Sequence, residues 1–272
     1  MARFVIAPQW QGSPSARAMM LIDGAQAIAG DLPRAACTTV DIPLEAGESL
    51  ETGVNRYSAL ARIRGQLDEV LAGRSEPMIT VGGDCSVAVA AIGAAAARTP
   101  DLAVVWLDAH PDLHTPDTSE SGAFSGMALS AVLGEVPEGL ALAPGTVPAS
   151  RVVLAGARSF DDAEHERAGA LAAVLSAEDL AAPDVLADAV AATAAAAVHI
   201  HVDLDVLDPS ALSGVTSPIP FGVQVPQLVT AIQTVRARVP LAGASITGFA
   251  PPSPAAAVDD MGAVLRIIGA LA

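Results

Sequence analysis

The sequence of 272 residues is short of positive charge. It has 14 lysine or arginine residues against 30 aspartate and glutamate residues, and its formal net charge is −16. A field of that sign repels phosphate backbones, and no cluster of basic residues offers them a local binding surface. We therefore expect no nucleic-acid partner.

Cysteines and long apolar runs are also scarce. The two cysteines, Cys37 and Cys85, are too few for the disulfide framework of a small secreted domain. Residues 1–10 are followed by no signal-peptide cleavage site, and the longest stretch without charge, residues 209–235, is interrupted by prolines. We therefore expect a cytoplasmic protein with no membrane partner.

Short apolar runs alternate with segments of helical spacing along the whole chain. The apolar runs are residues 3–6, 78–81, 102–107, 151–155, 197–202 and 245–249. The helical segments are residues 58–73, 86–98, 183–196, 225–239 and 259–271. Continuous apolar runs are typical of strands that are buried on both faces of a parallel sheet. The pattern predicts one domain over residues 1–272, a three-layer α/β/α sandwich with a mostly parallel central sheet.

The most informative segment follows the run 102–107. There Asp108, His110 and Asp112 stand at alternate positions, so their side chains share a face if the chain stays extended. Carboxylates that close repel one another, and a divalent cation is the usual remedy. A solvated turn after a strand is an equally good interpretation of this segment alone.

A second segment favours the metal. Asp203 and Asp205 follow the run 197–202 in the same alternating way, whereas Asp208 precedes a proline and is expected to stabilise a turn. Parallel strands bring such carboxylates together at their carboxyl ends. An oxygen-rich set with one imidazole favours Mn²⁺ over structural Zn²⁺, and the number of groups is sufficient for two ions that activate water.

A third segment is a Gly-Gly turn, Gly82-Gly83, followed by Asp84, Cys85 and a helix. It would direct Cys85 into the same crevice. For this segment alone, a turn with a capping Asp84 or Ser86 and a small buried thiol is a strong alternative interpretation.

In this order the three segments resemble the signature of the arginase/agmatinase (ureohydrolase) family: GGD-H-S, then D-A-H-x-D, then S-x-D-x-D-x-x-D-P. The resemblance implies a hydrolase in which two Mn²⁺ ions activate a hydroxide that attacks a guanidine-type carbon. It also implies that Asp112 accepts a hydrogen bond from this hydroxide. The implied metal ligands are Cys85, Asp108, His110, Asp112, Asp203 and Asp205.

The resemblance extends to an amino-acid substrate. His114 and Ser121 fall on family positions that hold an α-carboxylate, and Asp161 and Glu164 fall on positions that bind the α-amino group. Without the family register, Asp161 and Glu164 would be an ordinary acidic helix start. A small-molecule amino-acid substrate is therefore expected. The chain ends soon after the last predicted helix, without the C-terminal extension with which some arginases trimerise, so a monomer is the expectation and the oligomeric state stays open.

Three positions depart from the family pattern. Cys85 replaces a histidine ligand, so the neighbouring ion is expected to bind more weakly. Ser125 replaces the histidine proposed as a proton shuttle, which makes Asp112 and Ser125 the expected catalytic positions. Gly248 replaces the glutamate that pairs with the guanidinium. Finally, His199 and His201 are interpreted as packed residues of the sheet, one of them hydrogen-bonded to backbone, and not as ligands.

A lost glutamate favours a reacting group that is less basic or larger than a guanidinium. Within the family, a chain of this size with a cysteine in place of the ligand histidine resembles the enzymes of D-cycloserine biosynthesis. Those enzymes hydrolyse Nω-hydroxy-L-arginine to L-ornithine and hydroxyurea. Hydrolysis of arginine or of another guanidino or formimino acid is the alternative. A metal-binding relative without activity is the second alternative.

Overall fold

The computed structural model describes residues 2–272, in which eight strands and eight α-helices alternate. The strands are β1 (Arg3–Ala7), β2 (Cys37–Thr39), β3 (Met78–Gly82), β4 (Leu102–Leu107), β5 (Val152–Ala155), β6 (Ala173–Leu175), β7 (Ala197–Asp203) and β8 (Leu241–Thr247). The helices are α1 (Met20–Asp31), α2 (Tyr57–Leu71), α3 (Val87–Arg98), α4 (Ala128–Leu133), α5 (Asp162–Ala168), α6 (Val185–Ala192), α7 (Val225–Arg238) and α8 (Pro254–Leu271).

All eight strands form one sheet in the order β2-β1-β3-β8-β7-β4-β5-β6. Every neighbouring pair is parallel. The predicted α/β fold with a parallel sheet is thus confirmed. Strands β3, β4 and β7 are buried along their whole length, which explains their continuous apolar character.

The helices cover both faces of the sheet. On one face α1, α6, α7 and α8 contact one another, and Leu228 and Val264 belong to the core beneath them. On the other face α2, α3 and α4 pack together over a second core that includes Val89 and Trp106. Both faces of the sheet are therefore withdrawn from water, and its edge at the carboxyl ends of the strands remains open to ligands.

Several predicted boundaries were wrong. β8 ends at Thr247 instead of residue 249, because Gly248 has a φ of 86° that takes the chain out of the extended region. α6 ends at Ala192 instead of residue 196, and Ala194 beyond it has a φ of 54°. α8 begins at Pro254, five residues before the predicted start, because the Ser253 hydroxyl accepts a hydrogen bond from the first helical turn.

The sequence did not predict the two edge strands. β2 and β6 are three residues long and have no fully buried position, so they lack the continuous apolar run by which the inner strands are recognised. Cys37 lies half-buried in β2. No helix of residues 2–272 is both long enough and apolar enough to cross a membrane.

Candidate metal centre

A cavity of about 350 Å³ opens at the carboxyl ends of the central strands. All residues predicted as metal ligands line this cavity: Cys85, Asp108, His110, Asp112, Asp203 and Asp205. The other predicted site residues line it too: His114, Ser121, Ser125, Asp161 and Glu164. Within residues 2–272 no lysine or arginine contributes to the lining, so the cavity attracts cations.

The segment after β4 was expected to stay extended. In the structure it bends. Asp112 has a φ of 53°, a strained value for a residue with a side chain. The side chains nevertheless converge. His110 Nδ1 lies 3.5 Å from Asp108 Oδ1, and burial together with the charge of Asp108 raises the pKa of Asp112 well above its usual value.

The segment after β7 contributes the carboxylates of Asp203 and Asp205, and each of their oxygens has a polar partner. Asp203 Oδ1 accepts a hydrogen bond from the Asp205 backbone N–H at 2.9 Å, and its Oδ2 accepts one from Thr247 Oγ1 at 3.1 Å. Asp205 Oδ1 accepts one from the Ala109 backbone N–H at 3.0 Å, while its Oδ2 lies 3.0 Å from His110 Nδ1. The β4 and β7 segments are thereby joined directly at the site.

Cys85 follows β3 and faces the carboxylates. Its Sγ lies 2.9 Å from Asp203 Oδ2 and 3.6 Å from Asp108 Oδ2. Burial, followed by the charges of these neighbours, raises the pKa of Cys85 well above its usual value. Asp84 caps the turn, as one interpretation of the sequence predicted, because its Oδ1 accepts a hydrogen bond from the Ser86 backbone N–H at 3.0 Å. The turn is thus locally stabilised, and it also directs the thiol into the crevice.

The charges of this cluster call for cations. Burial raises the pKa of Asp108 and of Asp205, and it raises the pKa of Asp203 to about 7. Within the described residues Asp112 Oδ2 accepts no hydrogen bond, although it is buried. Buried carboxylates without such partners are costly unless a metal binds them.

His110 is the basic group in the cluster. Burial alone would lower the pKa of His110, but hydrogen bonds and charge interactions with Asp108 and Asp205 outweigh it and raise the pKa to about 12. In the absence of metal, His110 therefore holds a proton between two carboxylates. A metal ion would replace that proton.

Two of the donor groups in this cavity share Asp108. One contains Asp108, His110 and Asp205, and the other contains Cys85, Asp108 and His201; within each set the ligand atoms lie within 4.8 Å of one another. Residues in these two groups would hold two neighbouring cations, which would supply an activated water. The residues present therefore fit a two-metal centre.

The predicted substrate contacts are engaged with one another. His114 Nε2 lies 3.3 Å from Asp161 Oδ2 and 3.8 Å from Glu164 Oε2. Asp161 and Glu164 also form a capping box at the start of α5, in which Asp161 Oδ1 accepts the Glu164 backbone N–H at 2.8 Å. The helix-start interpretation therefore describes their local structure, and the same two carboxylates also line the cavity.

His199 and His201 lie in β7 below the cavity. Both are fully buried, and both contact the Ser245 hydroxyl, at 3.2 Å and 2.9 Å respectively. The predicted hydrogen bond to backbone was therefore wrong, since the partner is a side chain on β8. Burial lowers the pKa of His199 to about 3 and that of His201 well below its usual value, so both rings are neutral.

Arg158, which lies just beyond β5, was not predicted from the sequence to support the site. Its guanidinium donates hydrogen bonds to six backbone carbonyls, those of Gly156, Asp205, Val206, Leu207, Ile219 and Pro220. It thereby ties the segment that carries Asp205 to the loop at residues 219–220. The available signal was an arginine directly after an apolar strand, where a charge needs many partners.

Gly248 directly follows β8 and lies close to the Asp203 carboxylate. A Cβ atom at this position would lie 2.1 Å from Asp203 Oδ1. The Gly248 backbone N–H donates to the Gly83 carbonyl at 2.8 Å, which fixes the close approach. A side chain at position 248 is therefore incompatible with the observed position of the Asp203 carboxylate.

Comparisons with known proteins agree with this fold. A model of the Arginase family matches residues 17–266. The arginase of Bacillus caldovelox is 32% identical over 200 residues, which are 67% of this chain and 67% of that protein. The arginase of Brevibacillus brevis is 38% identical over 57% of this chain and 55% of its own length. The chain thus spans about half to two thirds of the length of these curated relatives.

The solved structures extend the likeness in fold to almost the whole chain. The arginase of Entamoeba histolytica in complex with L-ornithine superimposes with a TM-score of 0.85 at 20% identity, covering 99% of this chain and 97% of that one. An α/β fold with carboxylates gathered at the carboxyl ends of its strands places the candidate metal site where ligands bind in such folds. The chain belongs to the arginase family, whose members are hydrolases that act on guanidino or amidino groups and typically bind two metal ions.

Proposed function

We propose that the chain is a two-metal amidinohydrolase that converts Nω-hydroxy-L-arginine and water to L-ornithine and hydroxyurea. The observation that carries the choice of substrate is Gly248. A carboxylate cannot be placed there while Asp203 keeps its position. A substrate with a permanently charged guanidinium would then be buried without a partner, at a cost of several kcal/mol.

Two divalent cations, proposed to be Mn²⁺, would activate the attacking water when held by Cys85, Asp108, His110, Asp112, Asp203 and Asp205. The protein's own contribution begins at Asp112. Its Oδ2 is buried and has no hydrogen-bond partner within residues 2–272, so it can accept the hydrogen bond of the attacking water. The same carboxylate can also take up the proton that is released.

The amino-acid end of the substrate would lie against α5. Asp161 and Glu164 offer two carboxylates to an α-ammonium group, which would replace His114 as their partner. His114 Nε2 would then be free to donate to the α-carboxylate together with the Ser121 hydroxyl. The Entamoeba relative with bound L-ornithine supports a ligand of this shape in this fold.

The reacting end of the substrate would lie between the metal ligands and Gly248. The hydroxyl of an N-hydroxyguanidine withdraws electrons, so the group is less basic than the guanidinium of arginine and can bind uncharged. It is also larger, and Gly248 places no side chain of its own in the cavity that it lines. Ser125 lines the same cavity and can donate or accept a hydrogen bond at the leaving nitrogen.

Arginine is the rival substrate, because the curated relatives cited above bear the name arginase. Purified protein loaded with Mn²⁺ should be assayed on arginine and on Nω-hydroxy-L-arginine, with ornithine release as the common readout. We expect the larger kcat/KM on the hydroxylated substrate. A larger value on arginine would reject the proposed substrate, and bound Mn²⁺ without turnover of either compound would indicate a relative that has lost its activity.

A further inference from the structure

His201 lies under the floor of the cavity and has no role in the function proposed above. Its side chain is fully buried. Its Nδ1 lies 2.9 Å from Ser245 Oγ, whereas its Nε2 has no hydrogen-bond partner within residues 2–272. An imidazole nitrogen that is buried without a partner is costly unless something binds it.

The surroundings of His201 indicate what it binds. Ligand atoms of Cys85, Asp108 and His201 lie within 4.8 Å of one another. His201 stands two residues before Asp203 on β7, so both side chains leave the sheet on the same face. In a tetrahedral zinc site, ligand atoms are about 3.3–3.7 Å apart, given the usual bond lengths. A shift on the order of 1 Å would bring the three donors to that spacing.

We propose that His201 is a metal ligand, and that with Cys85 and Asp108 it forms a position selective for Zn²⁺ or Co²⁺. Thiolate and imidazole donors favour these ions, whereas the neighbouring set of Asp108, His110 and Asp205 favours Mn²⁺. The centre would then hold two different metals, with Zn²⁺ or Co²⁺ at this position in place of one of the two Mn²⁺ ions proposed above. This inference rests on the proposed metal centre and is independent of the proposed substrate.

The hydrogen bonds behind His201 support this role. Ser245 Oγ contacts His201 Nδ1 at 2.9 Å and His199 Nε2 at 3.2 Å. A hydroxyl has a single proton, so it can donate to His199 and accept from His201 Nδ1–H. That assignment leaves the lone pair of His201 Nε2 free for a metal. Such a bond to the distal nitrogen is the usual support of a metal-binding histidine.

The contact between the His201 and Trp106 rings, which are tilted by 37°, agrees with a fixed imidazole. The two ring centroids are 3.9 Å apart, and Trp106 is fully buried. The imidazole is thus held from behind by Ser245 and from one side by Trp106. A ring held in this way is preorganised for an ion at Nε2.

The test compares His201→Gln with His199→Gln, a matched control two residues earlier on the same strand and face. Metal-free protein is titrated with Co²⁺ alone, and the thiolate-to-cobalt charge-transfer band and the visible d–d bands are recorded. Cys85→Ser should remove the charge-transfer band. His201→Gln should shift the d–d bands and weaken Co²⁺ binding at this position by at least about tenfold, since loss of even the hydrogen-bonding partner of a metal ligand costs that much.

His199→Gln should keep the wild-type spectrum. A His201→Gln variant with wild-type affinity and bands would overturn the inference. If that variant does not fold, the unmodified protein with one equivalent of Zn²⁺ is examined by X-ray absorption. Sulfur together with imidazole scattering supports His201 as a ligand, and sulfur without imidazole rejects it.

Failure of this inference is separable from failure of the proposed function. An unchanged cobalt spectrum in His201→Gln, with normal hydrolysis by the wild-type protein, removes His201 from the ligand set and leaves the amidinohydrolase intact. If the predicted spectra are observed but the wild-type protein shows no hydrolysis, His201 stays in the ligand set and the amidinohydrolase activity is rejected.

Discussion

Gly248 combines two constraints at a single residue. Its φ of 86° favours glycine, and a Cβ would collide with the Asp203 carboxylate. We expect Gly248→Ala to lower the free energy of unfolding by about 1–3 kcal/mol and to weaken Mn²⁺ binding. Urea denaturation of the metal-free protein and a Mn²⁺ titration measure the two effects.

Gly145 offers the matched control for Gly248. It has a φ of 80°, but no atom lies within 4 Å of the Cβ position. Gly145→Ala should therefore show the cost of backbone strain alone, about 1 kcal/mol, with unchanged Mn²⁺ affinity. Equal effects of the two substitutions on Mn²⁺ binding would show that contact with Asp203 is unimportant.

Replacement of Cys85 should change both the affinity for Mn²⁺ and the choice of substrate. Cys85→His replaces a soft donor with one that suits Mn²⁺ better. We expect tighter Mn²⁺ binding, and about a tenfold gain in turnover of arginine relative to Nω-hydroxy-L-arginine. Cys37→Ser, far away on β2, is the control. An unchanged ratio between the two substrates would mean that Cys85 does not determine the choice of substrate.

The sequence predicted the placement of the acidic side chains because each follows a continuous apolar run. Asp108 and Asp203 could thus be located from local pattern alone. The contacts of His201 with Ser245, and the collision of Gly248 with Asp203, could not. Each joins residues about 44 positions apart on neighbouring strands, and strand order is not encoded in the apolar periodicity.

At the scale of single elements, α5 has two roles that one substitution can separate. Asp161 caps the helix and also lines the cavity. Asparagine caps as well as aspartate, so Asp161→Asn should change the free energy of unfolding by less than about 0.5 kcal/mol. It also removes the charge proposed to bind the α-ammonium, and we expect KM to rise about tenfold for this partly exposed contact.

Ser253 provides the comparison on α8, away from the cavity. Its hydroxyl accepts the Ala256 backbone N–H at 3.2 Å. Ser253→Ala should cost about 1 kcal/mol of stability with no change in KM. An unchanged KM in Asp161→Asn would leave Asp161 with its capping role alone.

Elements at the edge of the sheet show where prediction from sequence stops. The inner strands were recognised because both faces are buried, whereas β2 and β6 have partly exposed side chains and only three residues each. Their strand conformation depends on the neighbours β1 and β5, with which they pair. The role of Arg158 was not predicted for a similar reason, since five of its six partners lie in segments distant in sequence.

For the whole molecule, the charged cluster makes stability depend on pH. The folded-state pKa of His110, about 12, lies above its ordinary value of 6.5. Between pH 7 and pH 9 the metal-free folded protein therefore keeps a proton that the unfolded chain releases. The stability from this group is complete below pH 6.5 and falls as pH rises, by up to about 1.4 kcal/mol per pH unit.

Urea denaturation at pH 7, 8 and 9 measures this slope. Bound Mn²⁺ must displace the His110 proton, so its addition should flatten or reverse the dependence. His110→Asn should flatten it in the metal-free protein as well. Equal slopes with and without Mn²⁺ would contradict a role for His110 as a ligand.

The position of β8 has a consequence for how the protein is assembled. β8 lies between β3 and β7, pairing Ile79 with Ala244 and Asp203 with Thr247. The donor that orients Asp203 thus reaches its place only after most of the chain has been synthesised. A nascent or truncated chain would expose its acidic side chains without the support that fixes them. Metal uptake would therefore come late, and a loaded metal centre would mark a chain whose folding is complete.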